Sequence, residues 1–312
     1  MYPLLLKNES ADENAARPVM KLKPEEAVDA QAFLLSGREG SESTVKNGAF
    51  SGRTLTEALA LIGEKPVSPV GFPVTVKLIN TQTRLPVKVY PDDEYAGLHG
   101  QRAGKISLIY IADCKKGAEM VYGLSRNVSP DELKTRVQSG SLSAICNFVS
   151  VQKGDIFFIP PGVVFAVGGG IAAVEISAGG DCEYTVSDYG RLDENGRPRA
   201  TEEAKALDVM KTRKNNIRYG NVGDMTLYPF GTVRELGYCD TFKTELITMD
   251  GNFGFYEDEN LVSLIVTSGE ADMSYASGNM HLKAGVSVLI PKGLRIKLSG
   301  RAEIIYTKIQ NV

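Results

Sequence analysis

The sequence predicts an all-β fold of the barrel or sandwich kind, laid down twice along the chain. Three observations carry that prediction: short apolar segments of strand length broken by glycine and proline, helical patterning confined to a few places, and one segment that recurs.

The first patterned stretch, TLTEALALIG at 54–63, reads as a helix, because Thr54 stands three residues before Glu57, the spacing of a capping box, and Gly63 ends it. Strand-like runs follow at PVTVKLIN (73–80), LPVKVY (85–90), SLIYIAD (107–113) and AEMVYG (118–123). SPDELKTRVQSGSLSAICN (129–147) opens with Ser129, Pro130 and two acids and breaks at Gly140, which predicts one or two further helices. Strands resume at GDIFFIPPG (154–162) and AVEIS (173–177) and, after about residue 215, run to the end through LYPFGTVREL, FKTELITM, LVSLIVTSGE, ADMSYA, SVLIPKG, IKLSG and EIIYTKI. The recurring segment is GDIFFIPPGVVF at 154–165, matched by GVSVLIPKGLRI at 285–296, each preceded by an apolar strand, a turn and a second apolar strand. The polar, charged stretch 190–216 is the natural connection, and it divides the chain into a first domain at 1–212 and a smaller second one at 213–312.

Composition narrows the partners. With 35 basic against 38 acidic residues the net charge is -3, so no broad attraction to nucleic acid or to an anionic membrane is expected. No apolar run approaches the roughly 20 residues that span a bilayer, and MYPLLLKNESADE carries acids where a signal peptide has bases, so a cytoplasmic protein is expected. The four cysteines, Cys114, Cys146, Cys182 and Cys239, form no CxxC pair and read as isolated reduced thiols. The only histidines are His99 and His281, neither with a second histidine or carboxylate at i+2 or i+4, so a metal site built on either is disfavoured.

In VKVYPDDEYA (87–96) the alternation ends at a proline and a run of acids, as a half-buried strand does on entering a turn. Alternation alone leaves two readings. Either Val87 and Val89 face the core with Lys88 and Tyr90 in water, or both polar side chains point into a barrel.

The phrase GDxxxxPxG in GDIFFIPPGVVF resembles the second motif of the cupin barrels. Together with VKVYPDDEYA, AGKISLIYIADCKKGAEMVYG, DCEYTVSDYGR and TVKNGAFSGRTLTEALALIG, it makes the chain similar to the bacterial short-form class I mannose-6-phosphate isomerases over most of residues 28–312. The resemblance implies two cupin (jelly-roll) domains with a few short helices. It also implies aldose–ketose interconversion of mannose 6-phosphate and fructose 6-phosphate, with zinc as cofactor in the first barrel polarising the sugar oxygens. Here the residues depart from the family. Lys88 stands at its glutamine ligand, Tyr90 at its first histidine, Ser107 at its glutamate and Phe165 at its second histidine, while Thr185 occupies the active-site arginine position. Gln31 and Phe33 stand where the family carries a glutamate and a tryptophan, and Ser177 to Gly180 replace an amide-rich loop. Pro91, Asp93, Glu94, Gly162, Glu175, Asp181 and Lys77 keep the frame.

An ammonium repels a divalent cation, a phenyl ring has no lone pair and a hydroxyl is a poor zinc ligand, so no cofactor is expected. The resemblance then implies a barrel interior in which Lys77, Lys88, Tyr90, Ser107, Phe165, Glu175 and Asp181 are the candidate pocket residues and the leading reading is non-catalytic. Two lysines would receive a sugar phosphate or another small anion against an aromatic wall, or Phe165 would fill the space while Lys88 pairs with a buried acid. Three alternatives stay open: an active isomerase, a lysine forming a Schiff base, and a scaffolding role with a homo-oligomer as partner.

Overall fold

The computed structural model describes residues 1–7, 30–64, 68 and 70–310, so most of the first thirty residues lie outside the described part. Its first half is a sandwich of two five-stranded antiparallel sheets. One contains, in spatial order, Tyr184–Ser187, Val87–Val89, Phe165–Val167, Glu119–Leu124 and Cys146–Ser150. The other contains Ala30–Leu35, Val74–Thr81, Ile171–Gly179, Lys105–Cys114 and Ile156–Ile159. Their facing sides enclose an apolar core at one end, with Ile109, Ile111, Ile171 and Ala173 against Met120, Tyr122 and Val167.

The outer faces are buried too, which explains the near-continuous apolar runs in the sequence. Val87, Val89, Val121 and Ala166 pack under the helices Pro130–Gln138 and Glu203–Val209. On the other side Val74, Val76, Leu108, Val174 and Ile176 pack against Leu4, Leu6, Leu261, Leu289 and Ile305 of a third, nine-stranded sheet.

That third sheet is built on the long strands Phe242–Glu257, Leu261–Tyr275 and Leu294–Ile309. The recurring segment appears in both halves in one geometry. Gly154 and Gly285 each donate a backbone N–H, at 2.8 Å, to the preceding strand (Ile111 and Val266), and all four motif glycines, Gly154, Gly162, Gly285 and Gly293, have φ between 76 and 92°. Only glycine takes that conformation without steric cost, so the same offsets recur wherever the turn does.

Two details differ from the sequence reading. Hydrogen bonding crosses the 212/213 division: Leu4–Lys7 pairs antiparallel with Ser287–Ile290, Leu4 opposite Leu289. The 190–216 stretch is more than a connection, because Glu203–Val209 is a helix whose Ala206 is fully buried, with Leu207, Val209 and Met210 in the same apolar cluster. The helix at 54–63 has the expected capping box: the Thr54 side chain accepts from the Glu57 N–H and the Glu57 carboxylate accepts from the Thr54 N–H. The 129–147 stretch forms the helix Pro130–Gln138, capped by Ser129, and a single 3-10 turn at Leu142–Ala144. No helix among the described residues is long and apolar enough to cross a membrane.

Candidate functional site

Because successive side chains of a strand point to opposite faces, the packing of one set fixes the direction of the other. Val87 and Val89 lie under the helices, so Lys88 and Tyr90 point into the barrel. By the same alternation Lys77 is opposite in direction to Val76 and Leu78, Ser107 and Lys105 to Leu108, and Glu175 and Ser177 to Val174 and Ile176. Glu183 and Thr185 face inward while Tyr184 and Val186 join the outer cluster. The ladders then bring these residues level: Glu175 pairs with Lys77, Ser177 with Ser107, and Lys88 with both Phe165 and Thr185.

The result is a hydrogen-bonded, charged network at one end of the barrel. The Tyr90 hydroxyl, fully buried, donates to Glu175 Oε1 at 2.8 Å and lies 3.3 Å from Ser107 Oγ. The Phe165 ring sits 4.9 Å, centroid to centroid, from that of Tyr90. Lys105 Nζ stands 3.5 Å from Glu175 Oε1 and 2.9 Å from Glu183 Oε2, and 4.7 Å above the Tyr90 ring. Lys88 Nζ is ion-paired with the other oxygen of Glu183. Lys77 Nζ lies 5.2 Å from the Phe33 ring centroid and joins no carboxylate within salt-bridge distance among the described residues.

The charges shape one another. Burial would raise the Glu175 and Glu183 carboxyls, but Lys105 and Lys77, joined at Glu183 by Lys88, hold each below the usual carboxylate range. Burial also opposes the Lys105 ammonium, and the two carboxylates outweigh it, so its pKa is raised. Lys77 has no such partner and burial lowers it. Burial, with Glu175 and Glu183, holds Tyr90 well above the ordinary phenol range, so it is a neutral donor.

The residues anticipated from sequence do not all meet. Tyr90, Ser107, Phe165 and Glu175 are in mutual contact or hydrogen-bonded, and Lys77, Lys88 and Thr185 share their face. Asp181 does not join them; its carboxylate is 68% exposed and pairs with Arg38 at the rim. Lys88 pairs with Glu183. Lys105, Glu183 and Arg38 were not anticipated. The first two were legible, since each lies two residues before an inward-facing position on its strand. Arg38 carried no local signal: it reaches back from the loop after Ala30–Leu35 to the carbonyls of Gly179 and Gly180.

Two cavities open at this end. One of about 530 Å3 is lined by Arg38, Glu39, Glu42, Gln101, Arg102 and Asp181, and one of about 270 Å3 by Lys105, Asp92, Asp93 and Asp240.

The donor set does not fit zinc. No group of three or more His, Cys, Asp or Glu side chains able to hold a metal occurs among the described residues, and the Lys105 ammonium lies beside the Glu175 carboxylate. His99 is exposed and stacked on Tyr95 at 3.9 Å, and His281, also exposed, bonds Asp272 at 2.8 Å on the outlying Gly278–Lys283 strand.

No protein-family model matches the chain. Among curated proteins it is 29% identical over 289 residues to mannose-6-phosphate isomerase ManA of Bacillus subtilis, covering 89% of each chain. It is 34% identical over 183 residues to the probable mannose-6-phosphate isomerase GmuF of the same organism, covering 58% of each. Among solved structures, that of the Bacillus subtilis mannose 6-phosphate isomerase superposes with a TM-score of 0.87 at 26% identity over 99% of this chain and 100% of the other. A putative mannosephosphate isomerase from Archaeoglobus fulgidus shares the fold, with a TM-score of 0.74 at 16% identity over 99% and 98% of the two chains. The chain is thus similar in sequence and in structure to mannose-6-phosphate isomerases, and its fold is cupin-like.

Proposed function

We propose that this mannose-6-phosphate isomerase-like chain is a metal-free, non-catalytic relative that receives a small anion, a sugar phosphate or a chemically similar ligand, at the mouth of its first barrel. The observation that carries the reading is the Lys105 ammonium set between Glu175 and Glu183, with the Tyr90 hydroxyl donating into Glu175, among the positions where the resemblance puts zinc ligands. A cation built into the chain neutralises those carboxylates but has no open coordination position, so it cannot polarise two sugar oxygens at once as a divalent ion does. Loss of that Lewis acid removes several kcal/mol of transition-state stabilisation, and each 1.36 kcal/mol is about tenfold in rate.

Ligand reception is supported by charge. Lys77, Lys88 and Lys105 set three ammoniums against the two carboxylates Glu175 and Glu183, with Tyr90 neutral. Arg38 and Arg102 line the adjoining 530 Å3 cavity together with Glu39, Glu42 and Asp181, and its size, rather than its net charge, suits a hexose phosphate. The site residues of this reading are Arg38, Lys77, Lys88 and Lys105, with Tyr90, Phe165 and Glu175 as their support.

The test has two arms on the purified full chain. Elemental analysis is expected to find no stoichiometric zinc, and a coupled assay with mannose 6-phosphate no turnover above background. Tightly held metal, or turnover that chelation abolishes, would overturn the proposal in favour of an active isomerase. Calorimetric titration with mannose 6-phosphate is expected to show binding that Arg38→Ala and Lys88→Gln weaken.

A further inference from the structure

The segment KTRKNNI, residues 211–217, is the end of the connecting stretch, and the function proposed above makes no use of it. It is bound to the barrel along its length. Lys211 N–H donates to Gly162 O at 2.9 Å, Val128 N–H to Thr212 O at 2.9 Å, and Asn215 N–H to Leu124 O at 3.2 Å. Lys214 N–H donates to Asn127 Oδ1 at 2.8 Å and Asn215 Nδ2 to Tyr122 O at 3.3 Å. The approach is close enough to require glycine beneath it: at Gly123, with φ of 74°, an added Cβ would lie 2.3 Å from Asn215 Cβ.

This strap closes a cavity of about 360 Å3, on Gly123, Leu124 and Gly162 to Val164. Lys211, Arg213 and Lys214 line it, are exposed, and are joined to no carboxylate among the described residues. None of the described lining residues is acidic; Asp92 and Asp208 line an adjoining depression that shares Lys211. The floor is apolar, with Leu124, Val163 and Val164 buried and Ile217 partly so. Three like charges held near one another on a pinned backbone, over an apolar floor, repel one another, and an anion between them relieves that repulsion.

We infer that the strap and the turns beneath it form a second ligand site, separate from the barrel mouth, for a small organic phosphate whose phosphate group meets Lys211, Arg213 and Lys214 while its apolar part rests on Leu124, Val164 and Ile217. The inference is independent of the reading of the barrel interior.

Phenyl phosphate is the probe, titrated calorimetrically against the full chain at low and at physiological salt. Saturable binding is expected, weakening as salt rises, and a Lys211→Ala, Arg213→Ala, Lys214→Ala triple variant should lose affinity by about tenfold or more. The three side chains are exposed, so circular dichroism and the melting temperature of that variant should match the wild type. The comparison is made in the Arg38→Ala, Lys88→Gln background, which weakens the barrel-mouth site proposed above, so that the loss reports the strap alone. Absence of saturable binding by the wild type, or a triple variant that binds within about twofold of its parent in that background, would overturn the assignment.

Discussion

Lys77, Lys88 and Lys105 point to one interior, yet only Lys88 and Lys105 have carboxylate partners within salt-bridge distance among the described residues. The difference predicts opposite responses to the same substitution. Lys105→Met removes the ammonium between Glu175 and Glu183 and leaves two buried carboxylates without it, a loss of about 3–5 kcal/mol in urea denaturation. Lys77→Met removes a charge that burial already disfavours, and should be neutral or stabilising in the same measurement. The carboxylates also set an acid limit. Glu175 and Glu183 have folded pKa values below the unfolded one, so their contribution is fully present above about pH 4.3, the unfolded glutamate value, and is lost as pH falls below it through the folded values. Lys105 is raised, so its share is fully present below about pH 10.4 and is lost as pH rises through its folded value. A stability–pH profile of Glu175→Gln should therefore show a flatter acid limb than the wild type.

At the scale of elements, what was legible in the sequence depended on where each element's determinants lie. The helix opening at Thr54 carries its own start signal, both halves of the capping box, and Thr54→Ala is expected to cost about 1 kcal/mol of stability by thermal or urea unfolding. The helix Glu203–Val209 carries none: its N-cap, Glu202, makes no side-chain capping bond, and only Ala206 is fully buried, so contacts with the barrel stabilise it. A polar connection was therefore the natural reading of 190–216. The interior network shows the same division. Alternation marks Lys88 with Tyr90, and Lys105 with Ser107, as sharing a face, but the direction of each face is set by what covers the opposite one, the helices Pro130–Gln138 and Glu203–Val209 for Lys88 and the third sheet for Lys105, which local pattern does not contain. The strap over Gly123 supplies a check on this tertiary dependence. Gly123→Ala forces a side chain into positive φ and against Asn215, and should destabilise the chain by about 2 kcal/mol or more. Amide exchange at Asn215 and Lys214 should accelerate further than exchange elsewhere.

At the scale of the whole molecule, the two similar halves are joined by more than a connection. The sheet Val74–Thr81, Ile171–Gly179 and Lys105–Cys114 turns Val76, Leu108, Val174 and Ile176 outward, into one core shared with Leu261, Leu289, Ile305 and Ile309 of the other half. The first strand is the stitch between them: Leu4 and Leu6 lie in this shared core, while Leu5 packs on the core of the second half and Leu4 pairs with Leu289. A chain cut at 212/213 would expose both faces of the shared core and leave Ser287–Ile290 without its partner on that edge, a contiguous apolar surface that association or unfolding would have to hide. Residues 1–212 and 213–312 expressed separately are therefore expected to be insoluble or molten. The intact chain is expected to melt in one calorimetric transition whose van't Hoff and calorimetric enthalpies agree. Removing residues 1–7 alone should lower that single transition without splitting it, because the strand contributes to both halves at once. Two resolved transitions, or a separately folded second half with native-like near-ultraviolet dichroism, would show instead that the halves are independent units and that the shared core adds little to either.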